Sequence, residues 1–264
     1  VAPAYNEEEN VDRFMEEMSR ILSSVAQTWE IICVNDGSRD RTMEKLIEWN
    51  RRDKRIKAIN LSRNFGKEVA MTAGIDFAAG DAVIPIDIDL QDPPELIREM
   101  VRLWQEGADV VYATRLRRDG ESAAKKITAS LFYSTISRIT RIQIPRDTGD
   151  YRLMDRRVVE SLKMLPENQR FMKGLFSWVG YRQVSLPYNR EKRFAGKTKF
   201  NYWKLWNFAI EGITSFSIVP LQLATYIGVL TSLLAFLYAV FITVRTLLYG
   251  VDVPGYASTM AVML

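Results

Sequence analysis

Between Glu211 and Arg245 the chain carries no Lys, Arg, Asp or Glu, and that gap limits its fold more than any other feature. About 20 apolar residues in a helix suffice to cross a bilayer, so the stretch predicts a membrane span at Leu221–Val244, after a break at Pro220. Just before it, Tyr202, Trp203, Trp206 and Phe208 combine with Lys199 and Lys204, a pattern that predicts an amphipathic helix lying in the interface. Ala124 to Ile142, with Lys125, Lys126, Arg138 and Arg141 flanking an apolar stripe, reads either as a second interfacial helix or as an ordinary core helix. After the span, Tyr249 to Tyr256 forms a short loop, and the apolar end from Ala257 reads as the start of a return span. The expected division is a water-facing domain over 1–200, an interfacial helix over 201–219 and a transmembrane region over 220–264.

The water-facing part alternates helix and strand. Helical periodicity over Val11 to Val25 leads to an apolar run, Trp29 to Val34, then a helix over Arg41 to Trp49 and a strand over Ile56 to Leu61. Glu68 to Ala79, Ala82 to Ile86, Glu95 to Trp104 and Asp109 to Ala113 continue the series. Such alternation predicts an α/β fold, a mostly parallel sheet with helices on both faces. The 47% hydrophobic content of the whole chain is enough for a real core and excludes a disordered tail protein.

Ligands of such sheets collect at the carboxyl ends of the strands. Polar clusters stand at those ends: Asn6-Glu7, Asn35-Asp36-Gly37-Ser38, Ser62-Arg63-Asn64 and Asp87-Ile88-Asp89-Leu90-Gln91-Asp92. Asp36-Gly37-Ser38 is also an ordinary turn sequence, Asp40 can cap the next helix, and Asp92 before Pro93-Pro94 is assigned to the N-cap of the helix through Leu103. Asp87 and Asp89 repel each other unless a cation neutralises them, and their oxygens suit Mg²⁺ or Mn²⁺ holding a diphosphate. The chain has no histidine, which removes a Ser-His-Asp triad, a histidine base and a histidine-ligated zinc site. Its one cysteine, Cys33, reads as strand core, so acid–base and metal chemistry fall to carboxylates.

Pro3-Ala4-Tyr5-Asn6-Glu7-Glu8, Asn35 to Asp40, Asp87 to Pro94 and Thr148-Gly149-Asp150-Tyr151-Arg152-Leu153 resemble family 2 glycosyltransferases of the GT-A (Rossmann-like) fold. They are most similar to the polyprenyl-phosphate glycosyltransferases, which include dolichol-phosphate mannose synthase and the bacterial undecaprenyl-phosphate glucosyltransferases. Arg63-Asn64-Phe65-Gly66-Lys67-Glu68 and the membrane tail look closer to the glucosyl branch. The resemblance implies a nucleotide-sugar site with Pro3, Tyr5, Asn6, Glu7 and Asp36 against the nucleoside, Glu7 accepting from a ribose hydroxyl and Asp36 from a uracil imide N–H. It implies Asp87, Asp89 and the Gln91 amide oxygen on the cation, and Asp150 as acceptor-side carboxylate, either base or orienting group. Ile88 departs from the small residue usual between the aspartates and is expected to point into the core. A turn cap beside Gly149 is the alternative for Asp150.

A basic stretch, Arg190 to Lys204, is opposed only by Glu191, and Arg193 to Phe200 within it resembles a family loop that closes over phosphates. Arg193 and Lys199 are the expected phosphate contacts and Arg115 a third; a solvated charged loop near anionic lipid is the alternative. No stacking platform accompanies the patch, so nucleic acid is not an expected partner. The resemblance implies inverting transfer of a hexose, glucose from UDP-glucose, to undecaprenyl phosphate. The rivals are GDP-mannose-dependent transfer, an enzyme that elongates a polysaccharide and a non-catalytic nucleotide-binding module. Positive residues concentrate before the span, which predicts an integral protein of the bacterial inner membrane with its catalytic domain in the cytoplasm. Homo-oligomerisation through the spans is a further expectation.

Overall fold

The computed structural model describes residues 1–116, 148–165, 172–188 and 219–250. They fall in two compact units, Val1–Ser215 and Phe216–Leu264. The first begins β1 (Ala2–Ala4), α1 (Val11–Val25), β2 (Ile31–Asn35), α2 (Thr42–Arg52), β3 (Ile56–Asn60), α3 (Lys67–Phe77) and β4 (Ala82–Val83). It continues with α4 (Leu96–Gln105), β5 (Val110–Arg115), β6 (Thr148–Asp155), α5 (Arg156–Lys163), α6 (Met172–Trp178) and β7 (Gln183–Tyr188).

β1, β2 and β3 form a parallel ladder and β4-β6-β5-β7 a mixed one. The two are joined through Val1, whose amino group donates to the Ile84 carbonyl at 2.8 Å while its own carbonyl accepts from Ile86 N–H at 2.9 Å. The predicted fourth strand is thereby split in use: Ala82 and Val83 pair with β6, and Ile84 to Ile86 bond to the chain start. The strand order becomes β3-β2-β1-β4-β6-β5-β7, and only β6 runs against its neighbours.

That reversal decides where the site lies. β6 starts where β5 ends, with Thr148 opposite Thr114 and Arg152 opposite Tyr112. Gly149, Asp150 and Tyr151 therefore face the single residue Ala113 across a bulge, a device that re-aims side chains at strand ends. Asp150 reaches the carboxyl edge of the sheet because β6 enters from that edge.

The sheet is covered on both faces. α1 buries Val11, Phe14, Met15, Met18 and Ile21, the spacing of one apolar helical stripe. All of β2 is buried; Ile31 and Cys33 join the cluster holding Phe14, Ile97 and Met100, while Val34 faces α3, where a β-carbon on Gly74 would meet its Cγ2 at 3.1 Å. Burial of one such large side chain contributes about 1.5–3 kcal/mol. Cys33 is the strand-core residue expected, and burial pushes its thiol up to about 12.

The second unit contains α7 (Val219–Tyr249). Leu221–Tyr249 is long and apolar enough to cross a membrane; at 1.5 Å per residue its 29 residues span about 44 Å. Pro220 sits in its first turn, where a missing N–H costs nothing. Thr225, Thr231 and Thr243 each donate their hydroxyl to the carbonyl four residues back at 2.9 Å, so those polar hydrogens are satisfied inside the helix. The helix continues past the predicted end at Val244, through Arg245, because the apolar Leu247-Leu248-Tyr249 follows within the next turn. The candidate interfacial segment 124–142, the segment 201–219 except Val219, and the expected return span lie outside the described residues.

Candidate active site

Two loops at the carboxyl edge are laced together through the backbone. Asn6 N–H donates to Ser38 Oγ at 2.9 Å, Arg39 N–H to Asn6 Oδ1 at 2.8 Å, Glu7 N–H to Thr42 Oγ1 at 2.9 Å and Glu8 N–H to Asp40 Oδ2 at 3.2 Å. Asn6 adopts a left-handed φ of 52° to do so. Asp40 also accepts from Thr42 N–H at 3.0 Å, but the N-cap position of α2 falls on Arg41, which has no side-chain cap, so Asp40 ties the turn before the helix rather than capping it as expected. Glu7 Oε2 accepts from Asn10 Nδ2 at 2.6 Å, and Pro3 and Tyr5 run into this loop half-buried.

Asp36 is 3% exposed, and its two carboxylate oxygens accept from Phe65 N–H at 2.7 Å and Gly66 N–H at 2.9 Å. It clamps the β3–α3 loop, a task that residue type and spacing did not reveal. Gly37 is required beside it: at φ 64°, a β-carbon there would lie 2.4 Å from the Arg63 carbonyl carbon and 2.6 Å from Asn64 N. The polar clusters after the first three strands thus meet at one edge of the sheet.

The fourth cluster stands next to them. Ile88 is 2% exposed in the core, as its size demanded, and Leu90 turns the chain at φ 52°. Gln91 N–H donates to Asp89 Oδ1 at 3.2 Å, while Asp89 itself is nearly buried. Among the described residues no three His, Cys, Asp or Glu side chains converge as a metal cage. Two aspartates and an amide oxygen nevertheless fit Mg²⁺ or Mn²⁺, because such cations are held by one or two carboxylates and complete their shell from water and substrate phosphate.

Across from Asp87 stands Asp150, and one ammonium joins them. Lys67 Nζ lies 2.7 Å from Asp87 Oδ1 and 2.7 Å from Asp150 Oδ2. Desolvation works against the Lys67 charge, but Asp150 and Asp87 outweigh it and its pKa is raised. Behind Asp150, Arg152 is 3% exposed, donates from Nη2 to the Gly149 carbonyl at 3.0 Å and lies over the Phe176 ring at 4.0 Å. Burial lowers its guanidinium to about 10, with Asp150 pulling the other way, so it remains a cation at neutral pH. Asp150 lies in a strand between two cations, which replaces the turn-cap alternative.

Lys67 is the functional candidate that the sequence reading left unassigned. A signal existed: it is the first residue of α3, where the helix dipole disfavours a positive charge unless an anion answers it.

Arg115 takes a different setting from the other predicted residues. Its Nε donates to Tyr188 Oη at 3.2 Å, and the Tyr188 hydroxyl donates to Asp92. Burial and Asp92 push the Tyr188 hydroxyl up to about 12, so it keeps the proton it donates. Asp92 therefore does not cap α4. That helix starts at Leu96 with no side-chain cap, because the Pro93 and Pro94 carbonyls accept from Leu96 and Ile97 N–H in an intervening turn. Arg193 and Lys199 lie outside the described residues.

Residues 1–163 match the profile of the family described as Glycosyl transferase family 2. The chain belongs to glycosyl transferase family 2. This glycosyltransferase is 57% identical over its full length to an uncharacterized glycosyltransferase of Synechocystis sp., covering 83% of that protein. It is 44% identical, again over its full length, to the prophage bactoprenol glucosyl transferase homolog of Escherichia coli K12 and to the bactoprenol glucosyl transferase of Shigella phage SfV, covering 86% of each. Among solved structures, glucosyl-3-phosphoglycerate synthase from Mycobacterium tuberculosis, in complex with Mn²⁺, UDP-glucose and phosphoglyceric acid, superposes with a TM-score of 0.51 at 18% identity, over 79% of this chain and 74% of that one. Mannosyl-3-phosphoglycerate synthase from Rubrobacter xylanophilus gives a TM-score of 0.51 at 18% identity, over 85% and 73%. The shared architecture is the GT-A fold expected of the glycosyltransferase.

Proposed function

We propose that this glycosyltransferase moves glucose from UDP-glucose to a polyprenyl phosphate such as undecaprenyl phosphate, with inversion, in a Mg²⁺- or Mn²⁺-dependent reaction. The observation that carries the reading is the facing of Asp87 and Asp150 across a single ammonium. In this reading Asp87 is the diphosphate-side carboxylate and Asp150 the acceptor-side one, and their nearness supports single displacement. Full-length identity of 44% to relatives named bactoprenol glucosyl transferase supports the sugar and the lipid.

In this reading the crevice formed by Asn6, Glu7 and Asp36 receives the nucleoside, with Pro3 and Tyr5 flanking it. Asp87, Asp89 and Gln91 hold the cation, which when bound neutralises charge on the departing diphosphate. Asp150 orients the acceptor, one of whose phosphate oxygens bonds to the sugar's anomeric carbon as the bond from that carbon to the diphosphate oxygen breaks. A phosphate monoester is already largely anionic at neutral pH, so orientation matters more than proton removal. Arg115, Arg193 and Lys199 supply positive charge to the phosphates. α7 is read as a membrane span, with the catalytic unit on the cytoplasmic side of the bacterial inner membrane, where the lipid's phosphate is met without extracting its tail.

The test is transfer of labelled sugar from UDP-glucose and, in parallel, GDP-mannose to undecaprenyl phosphate in detergent, with Mg²⁺ or Mn²⁺ and then with a chelator. Chelator-sensitive label in the lipid fraction from UDP-glucose is expected. Label from GDP-mannose alone replaces the sugar, and none from either donor with UDP still bound overturns the reading.

A further inference from the structure

The Lys67 bridge carries an inference that rests on the reading above. A lysine stem can swing, but its anchor here cannot: Lys67 follows Gly66, whose N–H is held by Asp36, and it opens α3. Its side chain as a whole is 43% exposed, while Nζ itself is held between the two carboxylates. Of its three N–H donors, two go to Asp87 and Asp150 among the described residues.

The same carboxylate that takes one of those donors is a ligand of the cation. A divalent ion on Asp87 and an ammonium on Asp87 repel each other, so the two compete for it. The geometry points to Lys67 as an exchangeable counter-ion: it neutralises Asp87 and Asp150 in the cation-free protein, and when a divalent cation takes Asp87 it turns to the phosphate of the lipid acceptor held beside Asp150. Arrival of the donor's cation would thereby charge the acceptor side of the site, which orders the two substrates without any movement of the backbone.

Two measurements on the full-length protein in detergent test this. The first is Mn²⁺ titration followed by electron paramagnetic resonance of the free ion. Lys67→Gln leaves two carboxylates without their shared cation, so Mn²⁺ binding is expected to tighten by about tenfold, and KM for undecaprenyl phosphate to rise by about tenfold with a smaller change for UDP-glucose. A purely structural ion pair predicts Mn²⁺ binding unchanged or weakened, and that result overturns the proposal, as does an unchanged acceptor KM. The second needs no variant: amine acetylation of Lys67 in the wild-type chain, read by mass spectrometry, is expected to increase when Mn²⁺ is added and to fall again with undecaprenyl phosphate. Labelling indifferent to Mn²⁺ overturns the exchange. Wild-type protein that transfers no sugar would instead defeat the functional reading, while the effects of Mn²⁺ on affinity and labelling would still judge the competition for Asp87.

Discussion

The half-sheet β3-β2-β1 and the half-sheet β4-β6-β5-β7 both bring charged side chains to the carboxyl edge, but they satisfy them by different means. In the first, carboxylates and hydroxyls bond to backbone N–H groups: Asp36 to Phe65 and Gly66, Asp40 to Thr42 and Glu8, Ser38 to Asn6. In the second, pairs between side chains carry more of the charge, although Asp89 also accepts from Gln91 N–H: Lys67 bonds to Asp87 and Asp150, Arg115 to Tyr188 and Tyr188 to Asp92. A carboxylate tied to two amides cannot let go without unfolding a loop, whereas an ion pair changes partner by rotating a side chain. The first half is built as a fixed mould and the second as a set of charges able to respond to what arrives. Lys67 stands between them, its backbone on the clamped loop and its ammonium in the second half.

That contrast can be broken or sharpened by substitution. Removing a proposed cation ligand should have the largest effect: Asp89→Ala is expected to lower kcat/KM for sugar transfer about 10³-fold or more, with the thermal unfolding of the first unit little changed. Asp150→Asn comes next, with a loss of about 10²-fold in transfer but UDP affinity by calorimetry within about threefold of wild type. Equal loss of UDP binding in that variant would mean that the two halves do not divide the work. Gly37→Ala attacks the mould itself. Its β-carbon collides with backbone rather than with a yielding side chain, so stability should fall by about 2 kcal/mol in denaturant titration and UDP affinity should fall with it. Tyr188→Phe is the mildest, removing a donor from the nearly buried Asp92; about 1–3 kcal/mol of stability should be lost, with UDP affinity unchanged.

Local pattern made much of this legible. The apolar periodicity of α1, the continuous apolar run of β2 and the absence of charge through α7 are properties of short windows, and each element formed within a few residues of its expected place. Asp87 and Asp89 stood out because carboxylates after an apolar run are conspicuous in a chain without histidine, whereas Asp150 was singled out only by the family resemblance of its motif. Asp92 misled for an equally local reason: a carboxylate before two prolines has the form of a cap, and nothing nearby announces Tyr188 as its partner.

Sequence alone determined the layered α/β class, the cation-binding chemistry available and the apolar helix, because each follows from residue type and spacing within one segment. Tertiary structure alone decided that β6 runs backward, that its bulge aims Asp150 at the carboxyl edge and that Lys67 joins Asp150 to Asp87. Those outcomes depend on segments far apart in the chain meeting at hydrogen-bond distance, and charge pairing across such separations is set by strand order rather than by any local run of residues.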